Sequence, residues 1–199
     1  PISDFFCPIP HEPLTIFTEQ AVQNLIEAGG TGLLDRTFGL FKEQLRLVDP
    51  GYADEIGWDA SVETFGERYF AERLAVDPFA WAQANLDEAR KNFETGTTVP
   101  WRYAILRAHE VFALIVPHLD EADHARFSQH LQPIFTDNYA TVPHASIERL
   151  LALHRAGALT ILAVGDQARL DTHSEASGAT MWFDGQAHHF PVFIDATGQ

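Results

Sequence analysis

Cysteine and long apolar runs are scarce in this sequence. Cys7 is the only cysteine among 199 residues, so neither an internal disulfide nor a cysteine-based zinc cluster can form. Because protein disulfides accumulate in oxidising compartments, this composition fits a reducing one, and we expect a cytoplasmic protein. No stretch approaches the roughly 18 uninterrupted apolar residues that a membrane span needs, so we expect no membrane partner.

Positive charge is scarce as well. The chain carries 13 Lys and Arg against 28 Asp and Glu, which gives a formal net charge of −15 at pH 7. A nucleic-acid partner is therefore not expected, because its phosphates must be neutralised by basic side chains. Apolar residues are abundant, at 46%, and 15 Phe and 4 Trp are among them. This composition indicates a folded core and not a disordered chain.

Helical periodicity extends from Phe17 to about Gly157. Thr18 is a predicted N-cap, Gly29 a predicted C-terminal stop, and Pro50 a predicted end of the second helix. Asp77-Pro78 and Val99-Pro100 are typical helix starts. The sequence thus predicts helices over residues 19–28, 32–49, 61–75, 78–93, 100–119, 120–131 (ending before Pro133) and 143–156.

After Gly157 the pattern changes to short β-rich stretches. ALTILAVG and QARLDTH are predicted strands, and GATMWFDGQAHHF places Asp184-Gly185 between two extended runs, which predicts a hairpin. PVFIDA is predicted as the last strand, and its apolar character is typical of a strand buried on both faces. The predicted fold is α+β and mainly helical. About seven helices in a helical region, residues 1–157, precede a small antiparallel β-meander or hairpin, residues 158–199.

The glycine cluster Gly29-Gly30-Thr31-Gly32 does not fit a dinucleotide fingerprint. Such a fingerprint follows a strand and opens a helix, so that the pyrophosphate meets the helix N-terminus. This cluster follows a helix, which favours a turn between two helices. No phosphate-binding lysine loop occurs in the sequence.

Ten histidines raise the question of a metal site. His109-Glu110 starts like a zincin motif, but Ala113 stands where the second histidine must lie, one helical turn on. Further candidate ligands span a predicted helix break and lie on different helix faces: His118, Asp120, Asp123, His124 and His130. We interpret them as surface residues of an acidic protein and expect no metal.

Evidence for a nucleophile is equally weak, and no catalytic residue is assigned. The sequence has no Gly-x-Ser-x-Gly elbow, and Cys7 between Phe6 and Pro8 is interpreted as a small buried hydrophobe. Trp101 begins a predicted helix with Arg102 and Arg107 close by in sequence. A solvated helix face is the favoured reading of these arginines, and contact with a phosphate or a carboxylate is the alternative.

Three segments and a hairpin follow one another in a recognisable order. They are VPWRYAILRAHEVFALIVPHLDEADHARFSQHLQPIF, VPHASIERLLALHRAGALTILAVG, the Asp-Gly hairpin and FPVFIDATG. This order resembles the middle of bacterial uncharacterised FAD/NAD(P)-binding proteins, which are related to flavin-dependent oxidoreductases and monooxygenases. The resemblance covers residues 97–199 well and the upstream part less specifically.

The resemblance implies a function in redox chemistry. In that family an N-terminal strand and Gly-x-Gly-x-x-Gly hold FAD, and this sequence contains no such unit. The terminal Ala-Thr-Gly passes beside the cofactor in the resembling proteins, so Ala196, Thr197 and Gly198 are the expected cofactor-binding residues. FAD and NAD(P) are expected in a full-length parent protein, and no cofactor is expected on this chain alone.

Two functions from different classes follow. In the first, the chain is an internal region of a FAD/NAD(P)-dependent oxidoreductase, a helical insertion plus a β-meander that is inactive alone. Its partners would be the remainder of its parent chain and a small-molecule substrate of unknown identity. In the second, the chain is a helical interaction or ligand-binding module without redox activity.

Overall fold

The computed structural model describes residues 13–162, 164, 167–172 and 177–196. Its contacts divide the chain into two units, Pro1–Ala158 and Leu159–Gln199. Helices make up most of the described part of the first unit, and the second carries a three-stranded antiparallel sheet. The predicted α+β, mainly helical class is therefore confirmed. Among the described helices, none is long and apolar enough to span a membrane.

The helices of the first unit have the following bounds. They are α1 Glu19–Ala28, α2 Leu33–Val48, α3 Pro50–Ile56, α4 Val62–Ala75, α5 Pro78–Thr95, α6 Pro100–Ala113, α7 Glu121–Arg126, α8 Gln132–Tyr139 and α9 His144–Arg155. A 3-10 turn, Val116–His118, follows α6, and a π turn, Phe127–Leu131, joins α7 to α8.

Local signals place most helix ends correctly. The Thr18 side chain accepts a hydrogen bond from the Ala21 N–H, and Gly29 ends α1 with φ of 63°, a conformation that favours glycine. Asp77 caps α5 by accepting from the backbone N–H groups of Phe79 and Ala80. These contacts confirm the predicted starts of α1 and α5 and the predicted end of α1.

Phenylalanines form the centre of the helical core. Phe17, Phe41, Phe65 and Phe112 are among its largest fully buried side chains. The Phe41 ring centroid lies 5.7, 5.8 and 5.5 Å from those of Phe17, Phe65 and Phe112, in edge-to-face arrangements. Each buried ring removes enough apolar surface from water to contribute about 2 kcal/mol to stability. The core thereby joins the segment before α1 to α2, α4 and α6.

A buried glutamine fixes the segment that leads into α1. The Gln44 side chain, 1% exposed, extends from α2, and its Oε1 accepts hydrogen bonds from three consecutive backbone N–H groups. The donors are Thr15, Ile16 and Phe17, at 2.9, 2.8 and 3.2 Å. This one side chain therefore substitutes for the secondary-structure partners that these backbone groups lack.

The second helix ends at Val48, before Pro50, as predicted, but neither Pro50 nor Pro133 acts only as a helix stop. Pro50 does not simply terminate a helix: Asp49 accepts from the Tyr52 N–H and Pro50 takes the first position of α3, which the sequence reading missed. The helix predicted to end before Pro133 continues through it into α8. In a regular α-helix the ring of Pro133 would clash with the Gln129 carbonyl. Gln129 lies instead in the π turn, which is wider than an α-helical turn and so accommodates the proline.

The helix that begins at Pro100 is shorter than predicted. It ends at Ala113 and is followed by the 3-10 turn. Pro117 accounts for the difference, because proline in an α-helix removes a hydrogen bond and clashes with the preceding turn. The predicted extension to residue 119 was wrong.

The second unit contains strands β1 Arg169–Asp171, β2 Ala179–Phe183 and β3 Gln186–Phe190, in the order β1-β2-β3. In the β2–β3 pair, Met181 lies opposite His188. Asp184 and Gly185 form the connecting turn with φ of 50° and 72°, as a two-residue turn of this type requires. The predicted Asp-Gly hairpin is confirmed.

Two other strand predictions were wrong. Residues 191–196 form no strand, and Val192 and Ile194 are 74% and 81% exposed, so PVFIDA is not buried on two faces. The described residues of ALTILAVG, 158–162 and 164, also form no strand. An apolar, β-branched composition favours an extended strand, but a strand forms only where a neighbouring strand supplies hydrogen bonds.

Candidate functional site

A cleft of about 360 Å³ lies on the first unit, and α3, α4, α5, α6 and α8 contribute to its walls. Four aromatic side chains line it: Tyr52, Tyr69, Trp81 and Trp101. Its charged lining residues are Glu55, Arg68, Glu72, Arg73, Glu88, Arg102 and Asp137. The cleft therefore combines flat apolar surfaces with a dense set of charges, which is typical of a site for a small polar molecule.

Tyr52 and Trp101 form one wall of the cleft. Their rings stack with centroids 4.1 Å apart and planes 7° apart, and the Arg102 guanidinium lies 5.1 Å from the Trp101 ring centroid. The Tyr52 hydroxyl is buried and finds no hydrogen-bond partner among the residues that the structure describes. Burial, followed by Tyr69 and Glu55, raises the pKa of Tyr52 far above its ordinary value, so the hydroxyl keeps its proton.

A polar network holds α4 against α8 at another edge of the cleft. Arg73 donates to both carboxylate oxygens of Asp137, each at 2.7 Å, and the Tyr69 hydroxyl donates to the same carboxylate at 2.7 Å. Asn138 completes the network by donating to the Tyr69 oxygen at 2.9 Å. Burial opposes ionisation of Asp137, but the Arg73 and Tyr69 hydrogen bonds outweigh it and lower the pKa of this carboxyl.

The remaining guanidinium groups of the cleft are also paired. Arg102 contacts Glu88 at 3.2 Å, and Arg68 contacts Asp59 at 3.0 Å. The Arg102 side chain is only 13% exposed, so the favoured sequence reading, a solvated helix face, was wrong for this residue, and the carboxylate alternative holds. Arg102 packs on Trp101, which precedes it in α6, and reaches Glu88 on α5.

Two carboxylates of the cleft are not paired with an arginine among the described residues. Glu55 on α3 and Glu72 on α4 form no hydrogen bond or ion pair with any part of the chain that the structure describes. With Asp59 included, the cleft carries five carboxylates against three guanidinium groups. Its net charge is therefore negative, and the excess lies on the two glutamates.

A second cavity of about 390 Å³ lies beside the π turn. Phe127 and Phe135 give it apolar walls, and His109 and Tyr139 lie at its edge with ring centroids 5.4 Å apart. The His109 Nδ1 contacts the Leu106 carbonyl, which can only accept, so this nitrogen carries the proton and Nε2 is the acceptor in the neutral ring. The cavity has none of the charge pairs that organise the cleft.

The residues predicted to bind a cofactor are only partly described. Ala196 lies in an exposed, irregular segment of the second unit. Thr197 and Gly198 fall outside the described residues, and so does Cys7. Ala196 is not among the described residues that line the cleft.

The glycine cluster is a turn between α1 and α2, as predicted. Gly29, Gly30 and Gly32 all have positive φ, and the Arg36 guanidinium donates to the carbonyls of Gly29 and Thr31. The two hydrogen bonds from Arg36 stabilise the turn.

The candidate metal ligands have other surroundings. Within the described ranges no three His, Cys, Asp or Glu side chains converge as a metal site. Asp123 instead pairs with Arg126, which also binds Asp35 and Glu63, with nitrogen–oxygen distances of 2.7, 2.8 and 2.6 Å. The hydrogen bond from Arg126 lowers the pKa of Glu63 to about 2.

A family model described as the YdhS-like middle domain matches residues 18–139. The chain belongs to the YdhS-like middle domain family. The matched range runs from the cap of α1 to the last residue of α8 and so includes each cleft residue from Tyr52 to Asp137. The described lining of the cleft therefore lies within the matched domain.

A curated relative extends beyond this domain. The chain is 46% identical over 200 residues to the uncharacterized protein YdhS of Escherichia coli (strain K12). This similarity covers 100% of the chain, and the chain spans 37% of the relative's length. No solved structure matches the chain.

Proposed function

We propose that this YdhS-like middle domain is the ligand-binding helical part of a larger FAD/NAD(P)-dependent oxidoreductase. The cleft is the observation that carries the ligand-binding role, because four aromatic and seven charged side chains line one cavity of about 360 Å³. The order of sequence segments up to Ala-Thr-Gly supports the redox role. The relative's greater length leaves room for a flavin-binding domain.

The residues of this chain do not fit a complete FAD site. Pyrophosphate binding needs a glycine turn that opens a helix after a strand, whereas the glycine cluster here joins two helices and is closed by Arg36. In this proposal the flavin, when bound, supplies hydride chemistry from another part of the protein, and only Ala196, Thr197 and Gly198 approach it. The cleft residues bind the substrate and hold it away from water.

In this proposal each part of the cleft has its own role in ligand binding. The stacked Tyr52–Trp101 pair forms an apolar wall for the ligand. The Arg73–Asp137 pair fixes the spacing of α4 and α8 through two parallel hydrogen bonds. These groups orient a ligand, and no residue of the chain is assigned a chemical step.

Gly198→Val in the full-length protein tests the redox part of the proposal. A side chain at this position would intrude where the backbone approaches the flavin, so the ratio of flavin to protein absorbance should fall sharply. The same change in the 199-residue chain should leave its melting curve unaltered, since a position next to the chain terminus contributes little to stability. Equal flavin content in both full-length proteins would contradict the proposal.

A ligand-binding module without redox activity is the second candidate. It is favoured by one observation: every described lining residue of the cleft belongs to the first unit, and none of them is a residue expected to bind the cofactor. Purified full-length protein that contains no flavin, and neither binds added FAD nor oxidises NADH or NADPH, would make this candidate the better one. A yellow protein with flavin absorbance would favour the oxidoreductase.

A further inference from the structure

We propose that the cleft binds a small organic cation, a molecule with an ammonium group attached to an apolar body. This inference rests on the proposed function, because it names the ligand class of the same cleft. It follows from three features of the lining: the arginines are already paired, two glutamates have no partner among the described residues, and four aromatic side chains line the same cleft.

The arginines of the cleft do not form a binding site for an anionic ligand. Arg73 gives two guanidinium nitrogens to Asp137, Arg68 gives two to Asp59, and Arg102 contacts Glu88. An anionic ligand would have to compete with these carboxylates for the same donors. The two hydrogen bonds in each Arg–Asp pair make that exchange unfavourable.

Glu55 and Glu72 supply the missing counter-charge. They line the cleft from different helices, α3 and α4, where both residues are exposed, and neither has a partner within the part of the chain that the structure describes. A cation placed in the cleft would be attracted by both carboxylates while the three arginines remain screened by their own partners. The charge balance of the lining thus favours a positive ligand.

The aromatic residues suit the same ligand. The cleft already holds cations against its rings, since Arg73 lies 5.6 Å from the Trp81 centroid and Arg102 lies 5.1 Å from that of Trp101. The Tyr52 ring contributes to the lining through its stack with Trp101, whereas its hydroxyl is buried out of reach of a ligand. An ammonium group with an apolar body therefore suits both the two carboxylates and the aromatic lining of the cleft.

Isothermal titration of the 199-residue chain with three probes of similar shape tests the inference. The probes are 2-phenylethylammonium, neutral 2-phenylethanol and anionic phenylacetate, at pH 7 and low salt. We expect the ammonium compound to bind at least about tenfold more tightly than the alcohol, which corresponds to about 1.4 kcal/mol, and phenylacetate to bind most weakly.

Variants locate the effect in the cleft. Glu55→Gln/Glu72→Gln should weaken ammonium binding about tenfold and leave 2-phenylethanol binding unchanged, because only the charge attraction is removed. The control Glu43→Gln/Glu110→Gln makes the same change in net charge at exposed positions that do not line the cleft, and should change neither affinity. Tyr52→Phe keeps the stacked ring and should leave ammonium binding unchanged, because the hydroxyl is buried and its loss removes no ligand contact.

The outcomes separate this inference from the proposed function. Equal affinities for the three probes, or tightest binding of phenylacetate, would overturn the cation assignment and leave the cleft as a ligand site. Equal losses in the two double variants would also overturn it, since the effect would then come from overall charge. Absence of binding by all three probes would overturn the inference, whereas the flavin content of the full-length protein tests the oxidoreductase independently.

Discussion

Gly66 is the position where one added methyl group gives the most informative test of the helix packing. It lies inside α4 and is buried, and a Cβ built there would lie 2.7 Å from the backbone oxygen of His130 in the π turn. The same Cβ would lie 3.5 and 3.6 Å from two further backbone atoms of His130. Because backbone atoms cannot rotate away as a side chain can, α4 or the π turn would have to shift.

Two opposing free energies decide the effect of Gly66→Ala. Alanine in a helix interior is favoured over glycine by about 1 kcal/mol. Forcing an extra methyl group into a packed contact typically costs about 1–3 kcal/mol. We therefore expect a net loss of about 1 kcal/mol in the free energy of unfolding, although the local helix propensity improves.

Gly39 provides a matched control in α2. It also lies inside a helix, but a Cβ there would meet nothing within 4 Å. Gly39→Ala should therefore stabilise the protein by about 1 kcal/mol, so the two variants should differ by about 2 kcal/mol. At about 2–4 °C per kcal/mol for a protein of this size, their melting temperatures should differ by roughly 4–8 °C.

Thermal and urea unfolding followed by far-UV circular dichroism measure both variants, since the signal reports mainly on the helices. If Gly66→Ala proves as stable as Gly39→Ala, the close approach of α4 to the π turn is not as described. A crystal structure of Gly66→Ala with α4 unmoved would contradict the reasoning in the same way.

Four further outcomes follow from the structure. Gln44→Leu should lower the free energy of unfolding by about 2–4 kcal/mol, because three backbone N–H groups lose their acceptor; urea titration measures this. The pKa of Glu63 is lowered from 4.5 to about 2, so its stabilisation is complete above about pH 4.5 and is lost as pH falls toward 2. The melting temperatures of the unmodified protein and Glu63→Gln should accordingly converge over that range. Melting curves with and without a strong chelator should coincide, and a drop of several degrees with chelator would establish a metal. The purified chain alone should show no flavin absorbance.

Local chemistry explains which elements could be predicted from the sequence. Thr18, Asp77 and the Asp184-Gly185 turn act through neighbours within three residues, so their effects are visible in a short window. The effects of Pro50 and Pro133 are harder to predict, because a proline can either begin a helix or interrupt one. Deciding between these senses at Pro133 required the π turn, for which the sequence carries no distinct periodicity.

The cleft could not be assembled from the sequence because its contacts are long-range. Arg73 and Asp137 are separated by 64 residues, and Tyr52 meets Trp101 across two intervening helices. One signal was present: Tyr69 and Arg73 lie one turn apart on α4, as do Arg68 and Glu72. These aromatic and charged residues lie on a helix that also buries Phe65, which indicates that their side of α4 is more than a solvated surface.

The chemistry of α4 argues that binding, more than stability, accounts for the cleft. Through Phe65 the helix joins a core of phenylalanines, whereas Tyr69 and Arg73 on the same helix enter a partly buried ionic network with Asp137. Removing such an ion pair from water offsets much of its attraction, so well-packed apolar residues would stabilise this contact at least equally well. The network also leaves the Arg73 Nε and the Asn138 Oδ1 buried without partners among the described residues, which costs further free energy. Under the proposed function this cost has a reason, because the ion pair fixes the spacing of α4 and α8 and so keeps the charged and aromatic lining of the cleft in position for a ligand.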